Sequence, residues 1–107
     1  MSSEEDPVQL VREALYNSLR KRCRDINSYI KITGQREIKI SLYALYLSYR
    51  SSESYPRLSD ALNEAIKRGI DPFKEFGFEM IIEDEEEYIK TSSENIQKLC
   101  QKIIEER

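Results

Sequence analysis

Residues 35–50 read QREIKISLYALYLSYR, and two periods overlap in them. Ile38, Ile40 and Leu42 lie two apart, the period of a strand. Leu42, Leu45, Tyr46 and Tyr49 lie three and four apart, the period of a helix. Wound as a helix, residues 36–42 would scatter their three apolar side chains around the cylinder. As a strand they put Ile38, Ile40 and Leu42 on one side and Glu37, Lys39 and Ser41 on the other. The stretch therefore divides at Leu42 or Tyr43, with a strand before and a helix after. That helix is expected to run to about Ser51, where SSESYP follows and Pro56 opposes continuation.

Working outward, residues 6–31 read as one helix. Asp6 is placed to cap it and Pro7 suits its first turn. Val11, Leu15, Leu19, Cys23, Ile26 and Ile30 recur at three- and four-residue steps, and Gly34 is a natural stop. Such a helix would be roughly 39 Å long, which favours an arm or an intersubunit contact. It carries RKRCR, with Arg20 and Arg24 on one face. Downstream, RLSDALNEAIKRGIDP is a further helix, opened by Ser59 or by Leu58–Ser59 and stopped by Gly69 and Pro72. FGFEMII reads as a short strand or an extended segment, and EDEEEYIK as an acidic run. TSSE resembles a capping box, Thr91 with Glu94, ahead of a terminal helix bearing Ile96, Leu99, Cys100, Ile103 and Ile104.

The 107 residues suffice for one domain with a modest core. The net charge of −3 hides an asymmetry. Residues 8–50 hold nine lysines and arginines against three acids, and residues 71–107 hold eleven acids against five cations. One basic half suggests a protein that meets a polyanion with one face; the alternative is two solvated faces that pair with each other. Abundant Glu, Lys, Ile and Tyr with no His or Trp suits a thermophile. No apolar run approaches a membrane span, and the acidic MSSEEDP is unlike a signal peptide, so a cytoplasmic location is expected. Cys23 and Cys100 fall on apolar sides of helices and read as small buried hydrophobes, with a disulfide as the alternative.

Chemistry-bearing patterns are few. Without histidine the commonest general base is missing. Two distant cysteines make no zinc site, and glycines scattered at 34, 69 and 77 make no phosphate loop. The acidic run Glu83–Glu87 lacks calcium-loop spacing. No enzyme activity, cofactor or metal is expected.

What remains is the order strand, helix, helix over residues 36–69. A single strand leaves its backbone groups unsatisfied, and no partner strand adjoins it in sequence. A twofold homodimer with paired strands would supply one, and a two-stranded ribbon fits the major groove of DNA. REIKISL, YALYLSYRSS and RLSDALNEAIKRGI together resemble the ribbon-helix-helix family, the Arc and MetJ type. The resemblance covers about a third of the chain. It implies a mainly α (α+β) homodimer that binds double-stranded DNA sequence-specifically. Ile38, Ile40 and Leu42 would be core, and Glu37, Lys39 and Ser41 would face the bases. Leu58, Ser59 and Asp60 would hold a phosphate at the second helix's N-terminus, with Arg36 and Arg57 as further phosphate contacts.

On this reading residues 1–34 are a basic helical arm, 35–70 the ribbon-helix-helix core, and 71–107 an acidic extension ending in a helix. A long basic arm resembles the partners of ParA-type segregation ATPases, SegB-like archaeal proteins among them. That likeness makes Arg20, Lys21, Arg22 and Arg24 the partner-binding residues and the location nucleoid-associated. Transcriptional regulators and antitoxins share the family, and an antitoxin would bind its toxin through residues 73–107. The reading of a different class is an all-helical protein-interaction module with no nucleic acid role, in which residues 36–51 form one helix.

Overall fold

The computed structural model describes residues 6–105, a mixed α+β arrangement with a small antiparallel sheet. The first five residues of the expected arm and the last two of the expected extension lie outside it. Helix α1 spans Pro7–Thr33. Asp6 caps it by accepting from the Val8 amide at 3.0 Å. Gly34 ends it in the left-handed conformation (φ 68°), its N–H donating to the Ile30 carbonyl at 2.8 Å. Strand β1 is Glu37–Ser41 and helix α2 begins at the next residue, Leu42. The change of period thus marks the junction, and Ser41 is the hinge. Its hydroxyl oxygen accepts from the Tyr43 amide at 3.1 Å as the helix cap.

Helix α2 is shorter than expected and stops at Tyr46. The amides of Ser48 and Tyr49 donate three residues back, to Leu45 and Tyr46, which tightens the chain out of helical register. SSESYP then closes on itself. The Tyr49 hydroxyl donates to the Tyr55 carbonyl at 2.7 Å, and the Tyr55 amide donates to Ser52 Oγ at 2.9 Å. Helix α3 spans Leu58–Lys67. Gly69 (φ 79°) ends it as the sequence anticipates, with the Ile70 amide reaching back to the Ala65 carbonyl.

A 3₁₀ turn, Lys74–Phe76, leads to β2 (Glu79–Glu83), β3 (Glu86–Ser92) and α4 (Ser93–Glu105). The acidic run makes up the turn and adjoining strand residues of a hairpin. Asp84 and Glu85 form its two-residue turn, both at positive φ (51° and 65°), the mirror-image geometry that fits strand twist. The sheet order is β1-β3-β2, antiparallel throughout. The expectation that only a second chain could complete β1 is therefore corrected: β3 of the same chain pairs with it, Ile38 opposite Thr91 and Ile40 opposite Ile89. The terminal cap also moves by one residue. Ser92, not Thr91, accepts from the Asn95 amide. Thr91 is buried, donating to the Gly77 carbonyl and accepting from Asn95 Nδ2. Gly77 (φ 80°) is required there, since a Cβ would lie 2.7 Å from Asn95 Nδ2.

One core joins all three expected segments. Val11, Leu15 and Leu19 of α1 pack with Ile38 and Ile40 of β1, Leu58 and Leu62 of α3, Ile89 of β3, and Ile96 and Ile103 of α4. The N-terminal helix is thus no free arm. Its fully buried positions end at Cys23, and beyond it Ile26 and Ile30, partly buried, still pack against the core. Cys23 and Cys100 are joined by a disulfide, Cα to Cα 5.6 Å, which replaces the reading of two separate buried thiols. Among the described residues no helix is long and apolar enough to cross a membrane.

Candidate nucleic-acid interface

The alternation of β1 sends Glu37, Lys39 and Ser41 to the sheet face away from the core, as expected from their spacing. The register places them beside Tyr88 and Lys90 of β3, and beyond those Glu79, Ile81 and Glu83 of β2. Each is already engaged within the chain. Lys39 Nζ lies 2.7 Å from Glu83 Oε2 and 5.5 Å from the centre of the Tyr88 ring. Glu37 is 3.6 Å from Lys90 Nζ, and Ser41 caps α2. The hydrogen bond and charge of Glu83 raise Lys39 above the usual lysine range, and Lys39 lowers Glu83 in the same order of causes. The pair is therefore ionised across neutral pH. Tyr88 is raised chiefly because its hydroxyl donates to Glu86. With four carboxylates (Glu37, Glu79, Glu83, Glu86) around Lys39 and Lys90, this face offers a polyanion little.

The N-terminus of α3 is similarly occupied. Leu58 is buried in the core. The Arg57 amide donates to the Asp60 carboxylate at 3.1 Å, and the Arg57 side chain stands 3.4 Å from the same oxygen. Asp60 thus supplies the anion that the first turn of the helix attracts. Ser59 is half-buried beside it.

The basic cluster on α1 has a different character. Helical geometry splits it. Arg22 faces a groove along β1 with Glu37, Lys39 and Ser41. Arg20, Lys21 and Arg24 line a second groove, between α1 and α4, with Asp25, Asn27, Lys31, Gln97 and Ile104, so that one acid stands among its four cations. Arg20, Arg24, Asn27 and Lys31 follow steps of four, three and four, so they form one ridge about 16 Å long. Lys31 belongs to this ridge although the RKRCR cluster alone did not single it out; its step of seven from Arg24 was the available signal. Arg20, Lys21, Arg22, Arg24 and Lys31 are all exposed. Among the described residues none of them, nor Arg36, forms an ion pair. Arg12, Lys39, Arg50, Arg57, Arg68, Lys90 and Lys98 each do. Between residues 20 and 36 six cations stand against the single acid Asp25.

No aromatic side chain lines the groove between α1 and α4. It has no platform on which an unpaired base would stack. Among the described residues no group of three or more metal-ligating side chains converges. Comparison of the chain with protein-family models, with curated proteins and with solved structures returned no match.

Proposed function

We propose that this protein binds double-stranded DNA through the basic ridge of α1 and the neighbouring Lys21 of the same groove, with Arg20, Lys21, Arg24 and Lys31 on phosphates. The observation that carries the reading is the exposed row of cations that form no ion pair among the described residues, in a chain of net charge −3 where seven other cations are ion-paired. Leaving such a row unneutralised serves a protein that exchanges counterions for a polyanion. A ridge of about 16 Å exceeds the ~12 Å width of the major groove, so Arg20 and Lys31 at its ends reach phosphates of both strands. The absence of aromatic rings beside it favours duplex over single strand. Phosphate contacts of this kind position a protein without reading sequence. Transcriptional regulation and recruitment of a ParA-type segregation ATPase are the two roles such binding would serve.

Fluorescence anisotropy on a labelled duplex and on its single strand, across a sodium chloride series, tests this. Four phosphate contacts give a slope of log K against log salt near −3.6, a loss of about 150-fold between 50 and 200 mM. Replacing Arg20 and Arg24 together by alanine should halve the slope to about −1.8. Binding that ignores salt, or that prefers the single strand, would rule the reading out.

A further inference from the structure

The tip of the β2–β3 hairpin, residues 82–87, is exposed throughout. Ile82, 75% exposed, pairs with Glu87 across the ladder, so their side chains share a face. Beside them a hollow of about 350 Å³ is lined by Tyr43 and Tyr46 of α2 with Glu86 and Glu87, and Tyr43 is 66% exposed. Of the five acids in this run Glu83 alone is ion-paired, to Lys39. Among the described residues Asp84, Glu85, Glu86 and Glu87 form no ion pair. The tip is thus an apolar patch rimmed by four carboxylates without a cation. The groove between α1 and α4 is its opposite. It has a volume of about 680 Å³, its four cations are in no ion pair, and Ile104 stands 58% exposed among them. Within one chain the two surfaces face different neighbours: the tip adjoins α2 and β1, and the groove is walled by α1 and α4.

We infer that the hairpin tip of one copy of this chain docks in the α1–α4 groove of a second copy, with Ile82 against Ile104 and the tip carboxylates among Arg20, Lys21, Arg24 and Lys31. Exposed apolar surface alone does not say what covers it; here charge does. The tip calls for a partner with several cations around an apolar residue, and the groove of the same chain has both. The net charge of −3 on each copy opposes their approach only weakly. At 0.1 M salt the screening length is about 10 Å, so distant charges fade while those facing each other at contact still act. The contact joins two different faces and has no twofold axis. Each docked copy leaves one tip and one groove open, so the assembly grows head to tail. This contact goes beyond the DNA reading and does not rest on it, since it needs only the cations of the groove. Where both hold they exclude each other, because a groove filled by a hairpin tip cannot hold phosphate.

Sedimentation equilibrium without DNA, from micromolar to millimolar protein in about 50 mM sodium chloride, should show the mean mass rise past that of a dimer. In about 500 mM salt it should return to that of a single chain. Glu85→Gln with Glu87→Gln removes two tip carboxylates, and Arg20→Gln with Arg24→Gln removes two groove cations. Each double variant should self-associate about tenfold more weakly. Mixed in equal amounts, the two variants hold one intact tip and one intact groove between them. They should form a pair at the native affinity and nothing larger. All four positions are exposed, and circular dichroism melts of each variant check that the fold persists. A monomer at every concentration, even one that binds added polylysine, would overturn the inference. So would a native assembly that stops at a dimer, or a mixture that associates no better than either variant alone. Duplex DNA that binds the ridge should disperse the assembly, and duplex that binds without dispersing it would place the contact elsewhere. Failure of duplex to bind at all would overturn the DNA reading and leave this contact standing.

Discussion

Replacing Cys23 and Cys100 together by alanine is expected to lower the unfolding free energy by about 4.5 kcal/mol, the largest loss in reach of one covalent change. The magnitude follows from the 77-residue separation of the two cysteines. Opening a loop of that length returns conformational freedom to the unfolded chain, and the chain-entropy estimate at 25 °C is about 4.5 kcal/mol. A domain of this size has roughly 5–15 kcal/mol in total, so the variant keeps only part of it. The midpoint of thermal unfolding should fall by about 20 °C. Chemical denaturation of the oxidised protein and of the double variant, fitted for both midpoint and slope, measures this. The slope should rise as well, because an uncrosslinked chain exposes more surface when it unfolds. A loss below about 1 kcal/mol would mean that α1 and α4 hold together without the bond.

Phe73→Ala is expected to cost about 4 kcal/mol, within the usual range for a fully buried phenylalanine. Phe73 has no exposed surface and sits in the core cluster, though it lies on the link between α3 and β2 rather than in an element. Its backbone explains why. The Phe73 amide donates to the Asp71 side chain at 3.0 Å, and its carbonyl accepts from the amides of Phe76 and Phe78, both at 3.0 Å. The residue is a peg whose ring is held in the core by a turn built around its own main chain. Removing the ring leaves those bonds and opens a cavity that the turn prevents from collapsing. Equilibrium denaturation reads the loss. A value near that of a surface substitution, within about 0.5 kcal/mol, would show the ring to be dispensable.

The elements legible from sequence were those whose signals are local. The apolar steps of α1, its Asp6 cap and Gly34 stop, and the change of period at Leu42 all act within a few residues. So does Gly69 after α3. β3 escaped because charge hid its alternation. Ile89 and Thr91 face inward, yet they sit behind five consecutive acids that read as solvated surface. Its turn escaped because Asp84 and Glu85 occupy positions that usually go to Asn and Gly. With β3 hidden, β1 has no visible partner in the sequence, and a ribbon completed by a second chain is what that gap suggests. The cysteine pair illustrates the same limit. That both side chains lie on apolar helix faces is local; that those faces meet depends on the whole packing. At the candidate interface, Arg20 and Arg24 were legible by their spacing of four. The engagement of Lys39 by Glu83, 44 residues away, was not.

The Cys23–Cys100 bond has a mechanical consequence. Tension applied between the two ends of the chain runs through α1 to Cys23, across the sulfur bridge to Cys100, and out through the end of α4. The sheet, α2 and α3 all lie inside that loop and carry no load. Stretched from its termini, the oxidised molecule can lengthen only by residues outside the loop, reaching about 110 Å, against about 370 Å for all 107 residues drawn straight. The edge of β1 and most of α1's basic ridge lie on the shielded side of the bridge. A pull on the protein's ends would strip the start of α1 from the core while leaving those surfaces under no direct strain.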